Sequence, residues 1–151
     1  MNSKSEPDSI DWKILELLQG NARLSSSEIG KRVGLSQPAV TGRIRRLEAA
    51  GVIEGYTARV NGSRLGREPG AFIRLKTTHQ HLGACLKAFE RIPEILEVHR
   101  VTGEDSFLIK ACFERMTRLQ DTIDSLGRFG SITTCLILAT YTPKPLARDR
   151  G

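Results

Sequence analysis

The chain has 151 residues, of which 39% are hydrophobic and 26% charged, a balance typical of a soluble globular protein with one large domain or two small ones. The formal net charge is +6, which suits a polyanionic partner, but residues 1–60 carry nine Lys and Arg against seven Asp and Glu. Overall basicity is therefore a weak signal, and the local placement of charge has to identify a nucleic-acid surface. Aromatic residues make up only 5%, which counts against a base-stacking platform for RNA or single strands.

Neither the cysteines nor the histidines form a recognisable reactive site. Cys85, Cys112 and Cys135 are far apart and each lies in an apolar run, which predicts buried thiols rather than disulfides. The pair His79 and His81 is interpreted as surface residues, so no metal site is expected. The sequence has no phosphate-binding glycine loop, HExxH or spaced Cys–His pair, so neither an enzyme nor a bound cofactor is expected. No signal peptide or membrane-length apolar run is evident, which predicts a cytoplasmic protein without a membrane partner.

The first predicted helix begins after a polar segment. Asp8 is expected to cap it, and Asp11 lies in its first turn, where the helix dipole favours an acidic side chain. The apolar positions that share one face are Ile10, Ile14, Leu17 and Leu18. Gly20 and Asn21 are expected to end this helix.

Two short helices separated by a glycine turn are predicted next. Ser25 and Glu28 have the spacing of a capping box, and Gly34 can end the helix in the left-handed conformation. Ser36 can cap the following helix, whose first turn tolerates Pro38. Two caps and a glycine in this order predict a helix-turn-helix.

The second of these helices has an apolar face and a basic face. Val40, Ile44 and Leu47 recur at the spacing of a buried stripe. The residues expected at double-stranded DNA lie on the opposite side, on its flanks and at the cap: Ser36, Gln37, Pro38, Thr41, Gly42, Arg43, Arg45 and Arg46. The alternative is a small helical domain whose arginines form an ordinary solvated face.

A change of pattern after this helix indicates a second domain. Residues 52–60 are interpreted as a short ribbon, which would make residues 1–60 a winged helix-turn-helix. Residues 61–70 contain three glycines and a proline and are the predicted linker. Residues 71–151 then form the second predicted domain.

The second domain is predicted to have the order βαββαβ, which is the ferredoxin-like arrangement. The predicted strands are 71–77, 95–102, 107–113 and 132–141, and the predicted helices are 81–92 and 116–126. Both helices should cover one face of an antiparallel sheet. The other face is interpreted as too apolar for water, which predicts burial against a second copy. The whole chain is thus predicted to be α+β.

With both halves in place, the sequence resembles the Lrp/AsnC (leucine-responsive, or feast/famine) family of transcriptional regulators. The matching segments cover nearly the whole chain: I-D-W-K-I-L-E-L-L from Ile10, G-N-A-R-L-S-S-S-E-I-G-K-R-V-G-L-S from Gly20, R-I-R-R-L-E-A-A-G-V-I-E-G-Y from Arg43, V-T-G-E-D-S-F-L-I-K-A from Val101 and F-G-S-I-T-T-C-L-I-L from Phe129. The resemblance implies a DNA-binding regulator with a C-terminal ligand-sensing (RAM) domain. It also implies homodimers that assemble into tetramers or octamers, and an amino-acid effector.

By motif position, the resemblance places the effector site at the turn between the second and third strands. The implied residues are Thr102, Gly103, Glu104, Asp105 and Ser106 in the turn, facing Thr133, Thr134 and Cys135 on the fourth strand. We expect the Gly103 amide and the hydroxyls of Ser106 and Thr134 to line the pocket. The common family pattern has an aspartate where Ser106 stands, and serine offers a ligand ammonium group only a neutral hydroxyl. Two alternatives remain open: a nucleoid-type architectural DNA-binding protein and an effector-independent regulator.

Overall fold

The structure is a computed structural model that describes residues 6–141 and 145–147, and its chain divides into two compact units. The first unit consists of the chain up to Arg59 together with the segment 145–147. The second unit runs from Val60 to Tyr141. Within the described residues, no helix has the length and apolar character needed to cross a membrane.

The first unit contains three helices around a small core. They are α1 (Ser9–Gly20), α2 (Ser26–Val33) and α3 (Gln37–Ala49). Each contributes one fully buried aliphatic side chain, from Ile14, Ile29 and Val40 respectively. Partly buried apolar residues surround these three: Ile10, Leu17, Leu18, Leu24, Val33, Leu35 and Ile44. The predicted apolar stripes of all three helices therefore meet in one core.

The connection between α2 and α3 is the tight glycine turn that the sequence predicted. The Ser25 hydroxyl accepts from the Glu28 amide and the Glu28 carboxylate accepts from the Ser25 amide, so the capping box is confirmed. Gly34 ends α2 in the left-handed conformation, with φ of 73°. Gly30 is equally necessary, because a Cβ there would lie 2.5 Å from the carbonyl oxygen of Leu35. This close approach brings the start of α3 down onto α2.

The ribbon predicted for residues 52–60 does not form. Between Ala49 and Gly70, all of which the structure describes, the chain contains no strand. A ribbon needs a partner strand, and the described part of this unit is otherwise helical. The segment is held to α3 by a side-chain contact instead, since the Tyr56 hydroxyl donates to Glu48 Oε1 over 2.8 Å.

Residues 145–147 return to the first helix. The Gln19 amide nitrogen donates to the Leu146 carbonyl over 2.9 Å, and the Leu146 amide donates to Gln19 Oε1 over 2.8 Å. The side-chain amide of Gln19 thus pairs with this segment through one donor and one acceptor, as a neighbouring peptide group would.

The second unit has the predicted βαββαβ order. Its elements are β1 (Gly70–Thr77), α4 (Leu82–Phe89), β2 (Ile95–Arg100), β3 (Phe107–Cys112), α5 (Met116–Gly127) and β4 (Gly130–Leu136). The strands pair antiparallel in the order β2-β3-β1-β4, which confirms the ferredoxin-like fold. Four elements are shorter than predicted. A 3₁₀ turn at His79–His81 precedes α4, which ends at Phe89. The strands β2, β3 and β4 end at Arg100, Cys112 and Leu136 rather than at residues 102, 113 and 141.

Both helices pack on one face of this sheet, as predicted. Twelve buried residues form the core: Ala71, Ile73, Leu75, Cys85, Ala88, Phe89, Phe107, Ile109, Ala111, Phe113, Leu119 and Leu126. Alternation along each strand places the odd-numbered residues of β1 and β3 on this face. On α4, Cys85 is fully buried, whereas the neighbouring Leu86 is half exposed.

The opposite, open face of the sheet is mostly polar, so the prediction that it is too apolar for water was wrong. Phe72 is its large exposed apolar residue on β1, at 37% exposure. Most of the other residues on this face are charged or polar: Arg74, Lys76, Glu97, His99, Lys110 and Thr133. The strict two-residue period of the strands puts these polar positions together.

The prediction of three buried thiols is also corrected. Cys85 is buried, Cys112 is half-buried and Cys135 is exposed. Cys135 pairs in register with Phe72 and so shares its open face, although the three residues that follow it in sequence are apolar. The Cys112 thiol donates to the Arg67 carbonyl.

Candidate functional site

The outward surface of α3 is the candidate nucleic-acid interface. Gln37, Pro38, Gly42 and Arg45 are exposed along it, and Ser36 caps its start by accepting from the Ala39 amide over 3.4 Å. A Cβ at Gly42 would meet nothing within 4 Å, so the backbone there is open to a close approach. Thr41 lies on the flank, where its hydroxyl donates to Ser26 Oγ over 3.0 Å and ties α3 to the first turn of α2.

Among the three predicted arginines, Arg45 alone stands without an ion pair in the described part of the chain. Arg43 Nη1 donates to Asp8 Oδ2 over 2.6 Å and to Asp11 Oδ1 over 2.8 Å. Arg46 Nη2 donates to Asp11 Oδ2 over 2.6 Å. The arginines of α3 therefore differ in kind, since two are held by α1 and one extends freely into solvent.

Asp11 is the fixed centre of this ion-pair cluster, which consists of Asp8, Asp11, Arg43 and Arg46. Its side chain is 1% exposed, and both of its carboxylate oxygens accept hydrogen bonds, including one from the Asp8 amide over 3.0 Å. A charge buried this deeply is stable only when it is paired and hydrogen-bonded, as it is here. The cluster therefore fastens the start of α1 to the middle of α3.

Asp8 is the exposed member of the cluster, with its side chain 48% accessible. Its Oδ1 accepts from the Ile10 and Asp11 amides, which is the capping role that the sequence predicted, and its Oδ2 accepts from Arg43. The Arg43 guanidinium, followed by the backbone amides, lowers the Asp8 pKa to about 2. The same contact raises the pKa of Arg43 above its ordinary value.

Sequence reasoning identified Asp8 and Asp11 only as helix-capping and dipole residues. Their partners lie 32 to 35 positions away, and nothing local in the sequence links the two segments. The sequence contains one signal for this pairing. One helix begins with two acidic residues, and another carries two arginines three positions apart.

In the structure, the predicted effector residues are divided between the turn that joins β2 to β3 and the strands of the sheet. Thr102, Gly103 and Glu104 are exposed in the turn between β2 and β3. Asp105 is half-buried and accepts from Arg74 Nε over 2.7 Å, on the open face. Thr133 is the register partner of Arg74 on β4, so Asp105, Arg74 and Thr133 are neighbours there.

Ser106 and Thr134 are not brought together. The Ser106 hydroxyl donates to the Thr77 carbonyl over 3.0 Å and accepts from the Thr77 amide over 3.1 Å. Thr134 pairs with Ile73 on the other side of β1, and strand spacings separate it from Ser106 by roughly 10 Å along the sheet and about 10 Å across it. Thr134 lies on the helix-covered face, whereas Cys135 lies on the open face with Thr133.

Within the described residues, no group of three or more His, Cys, Asp or Glu side chains is arranged to hold a metal ion. His79 and His81 are exposed, and the nearest contact of the His81 ring is the Phe129 carbonyl at 3.4 Å. Chemically, the chain offers a helix surface for a polyanion and a sheet turn rich in hydroxyl and carboxylate groups.

Comparison with family models matches both units. Residues 7–54 match a model described as winged helix-turn-helix DNA-binding. Residues 70–146 match a model described as the Lrp/AsnC ligand binding domain. The first match covers the three helices of the first unit, called here the helical unit, and the second covers the whole β-sheet of the second unit, called here the sheet unit.

Relatives in sequence extend over most of the chain. The leucine-responsive regulatory protein of Rhizobium meliloti (strain 1021) is 41% identical over 140 residues, which cover 89% of each protein. The HTH-type transcriptional regulator YezC of Bacillus subtilis (strain 168), described as uncharacterized, is 37% identical over 139 residues, covering 91% of this chain and 98% of that protein.

Solved structures share the fold of the whole chain. The structure of Bacillus subtilis LrpC is 28% identical with a TM-score of 0.85, over 91% of this chain and 98% of that one. A crystal structure of a Neisseria meningitidis transcriptional regulator in complex with L-Met is 28% identical with a TM-score of 0.83, over 92% and 95%.

Proposed function

The chain belongs to the Lrp/AsnC family of DNA-binding transcriptional regulators, which are not enzymes, and on that premise we propose how its two units divide the work. A first functional domain, residues 1–60, binds the major groove of double-stranded DNA through α3. A second functional domain, residues 71–151, which contains the sheet, assembles copies of the chain and senses an amino acid, with residues 61–70 as the linker. The protein carries this out in the cytoplasm, on operators with defined half-site spacing.

The exposed guanidinium of Arg45 is the observation that carries the DNA proposal. It projects from the same surface as Gln37, Pro38 and the open backbone of Gly42, and the described residues give it no acidic partner. Phosphate contacts act through counterion release, whereas base contacts discriminate between base pairs. A free arginine on an exposed helix surface is suited to either contact.

The test measures DNA affinity against salt concentration for Arg45→Ala in the full chain. We expect weaker binding and a slope of log K against log salt that is smaller by about one unit if Arg45 contacts a phosphate. If it contacts a base instead, the loss is about 1–3 kcal/mol at particular base pairs. Lys87→Ala removes the same charge from an exposed site on α4 and serves as the matched control. Unchanged binding by Arg45→Ala would show that α3 is not the reading helix.

A footprint on the DNA upstream of the chain's own gene separates a regulator from an architectural protein. A sequence-specific dimer protects half-sites at a fixed helical spacing, whereas a protein that wraps DNA by its backbone gives continuous protection. We expect discrete half-sites, because α3 presents side chains suited to base edges beside Arg45.

For the effector, we propose an amino acid bound at the turn 102–106 near Thr133 and Cys135. The match of residues 70–146 to a ligand-binding domain supports this proposal, as does the similarity to a relative solved with L-Met. In this chain, Arg74 is a cation suited to the ligand carboxylate, and Asp105 beside it is suited to the ligand ammonium. These groups replace the Ser106 hydroxyl, whose hydrogen bonds are directed to Thr77.

Calorimetric titration with the common amino acids, L-methionine included, tests the site. Gly103→Trp should abolish saturable binding by filling the space beside the turn. Gly103→Ala is its matched control, because φ of 107° makes both substitutions similarly strained while only one is bulky. Binding that survives in both variants would place the pocket elsewhere. No binding by the parent would identify an effector-independent regulator.

For assembly, we propose a homodimer built by the sheet unit, which can associate further into tetramers or octamers. Exposed apolar side chains on β4 and just beyond it support this proposal, namely Leu136, Leu138 at 97% exposure and Tyr141 at 88%. We expect Leu138→Asp to lower the sedimentation coefficient of the full chain at micromolar concentration. Leu65→Asp, at a leucine in the linker that is 68% exposed, should leave the coefficient unchanged; equal effects of the two would contradict this interface.

A further inference from the structure

Arg43 has two carboxylate partners that differ in accessibility, and this difference suggests a role in DNA binding. Asp11 is 1% exposed and its contacts are entirely internal. Asp8 is 48% exposed and lies at the surface beside the outer flank of α3. An anion arriving from solvent can reach Arg43 at the position of Asp8 but not at that of Asp11.

The two oxygens of Asp8 have separate tasks. Oδ1 caps α1 by accepting from the amides of Ile10 and Asp11, each over 2.8 Å. Oδ2 alone contacts Arg43. Asp8 can therefore release the guanidinium without uncapping the helix, so the exchange leaves the fold intact.

Arg43 keeps its ion pair with Asp11 when its contact with Asp8 is broken. Its Nη1 donates to Asp11 Oδ1 over 2.8 Å, and Asp11 is itself held by Arg46 and by the Asp8 amide. The guanidinium stays in place at the flank of α3, one position beyond the open backbone of Gly42. It is positioned in advance for an oxygen anion of the kind that DNA displays along its backbone.

We propose that Asp8 stands in for a DNA phosphate: it holds Arg43 in the free protein and yields it to a backbone phosphate when α3 enters the groove. Asp11 remains bound throughout as the positioning residue. This inference rests on the proposed placement of α3 at DNA. Its consequence is that the protein carries an internal competitor, which weakens DNA binding at every sequence.

The exchange makes a definite prediction for salt dependence. A phosphate that pairs with a free arginine releases counterions, whereas a phosphate that displaces Asp8 leaves a new carboxylate to be neutralised by salt cations. The net release at Arg43 is therefore small in the parent. Replacing Asp8 by asparagine removes the competitor and preserves a good helix cap.

The experiment measures binding of the full chain to a mixed-sequence DNA duplex several helical turns long, over a range of salt concentrations. We expect Asp8→Asn to bind about two- to fivefold more tightly, the scale of an exposed ion pair. We also expect its slope of log K against log salt to be steeper by about one unit. Glu16→Gln, an exposed carboxylate further along α1, is the matched control and should leave the slope unchanged.

A double-mutant cycle with Arg43→Gln separates exchange from a general loss of negative charge. If Asp8 competes for Arg43, Asp8→Asn has no further effect in the Arg43→Gln background. An equal gain in both backgrounds, or a parental salt slope in Asp8→Asn, overturns the proposal. The slope comparison needs no Arg43 variant, so it decides the matter even if Arg43→Gln fails to fold. Failure of the α3 placement itself is seen separately, as unchanged binding by Arg45→Ala.

Discussion

The two units are stabilised in different ways. The core cluster of the helical unit contains three buried apolar residues, whereas that of the sheet unit contains twelve. Each unit also buries one paired carboxylate: Asp11 with Arg43 and Arg46, and Glu94 with Arg118. The polar contacts thus account for a larger share of what holds the helical unit together.

This difference shows how a small domain can keep a charged surface and still fold. A domain of about 60 residues buries little apolar area, so its free energy of unfolding is small. The ion-pair cluster joins α1 to α3, so two of the arginines that we propose to face DNA also have a structural role. Affinity and stability are therefore coupled in the helical unit, whereas the sheet unit can vary its surface with less effect on its core.

The largest expected effect follows from neutralising the buried carboxylate of the helical unit. Asp11→Asn breaks a buried ion pair, so we expect a loss of about 3–5 kcal/mol in the free energy of unfolding. Fluorescence of Trp12, the single tryptophan of the chain, follows this unit in urea. Glu94→Gln is the matched change in the sheet unit and should cost less, since Glu94 Oε2 has no partner among the described residues. An Asp11→Asn transition at the parental urea concentration would contradict the comparison.

Two glycines of the helix-turn-helix should respond to alanine in opposite directions. Gly30→Ala places a Cβ 2.5 Å from the Leu35 carbonyl oxygen, and we expect overpacking to cost about 1–3 kcal/mol. Gly42→Ala meets no neighbour and raises helix propensity, which should stabilise the unit by up to about 1 kcal/mol. Thermal unfolding followed by Trp12 measures both. Destabilisation by both variants would contradict the open space found around Gly42.

A smaller effect is expected in the sheet unit from Ser106→Ala. The hydroxyl satisfies the backbone amide and carbonyl of Thr77, so its loss should cost about 1–2 kcal/mol in unfolding free energy. Ser131→Ala, at an exposed position of β4, should change it by less than about 0.5 kcal/mol. Circular dichroism of the full chain in urea compares the two. A larger effect of Ser106→Ala on effector binding than on stability would instead assign the hydroxyl to the ligand.

The smallest effect is the contribution of Asp8 to stability against acid. Its pKa is lowered from 3.8 to about 2 in the folded state, so its contribution is complete above the unfolded value and is lost as the pH falls between the two. Parent and Asp8→Asn should therefore differ in melting temperature at neutral pH and converge as the pH approaches about 2. A difference that persists at that pH would mean that Asp8 acts through something other than its charge.

Local sequence signals determined much of the fold. The helix cap at Asp8, the capping box at Ser25, the left-handed turn at Gly34 and the alternation along β1 depend on neighbours a few residues apart, so they could be predicted directly. The order of strands and helices followed from the same signals. They also separated the buried residues of α3 from its outer side, and long matching segments identified the family.

Tertiary structure alone decided the contacts between distant segments. The pairing of Asp8 and Asp11 with Arg43 and Arg46 spans more than thirty residues, so no periodicity reveals it. The ribbon predicted for residues 52–60 was wrong because a strand exists only where a partner is available, which its own sequence does not specify.

The predicted effector residues show the same division between sequence and structure. Their positions in a turn and on β4 follow from sequence, but strand order and register decide which of them face one another. Ser106 is directed to Thr77, Asp105 to Arg74, and Thr134 to the helix-covered face. Such directions are set by hydrogen bonds across strands, because a side chain's partner in a sheet lies on another segment of the chain.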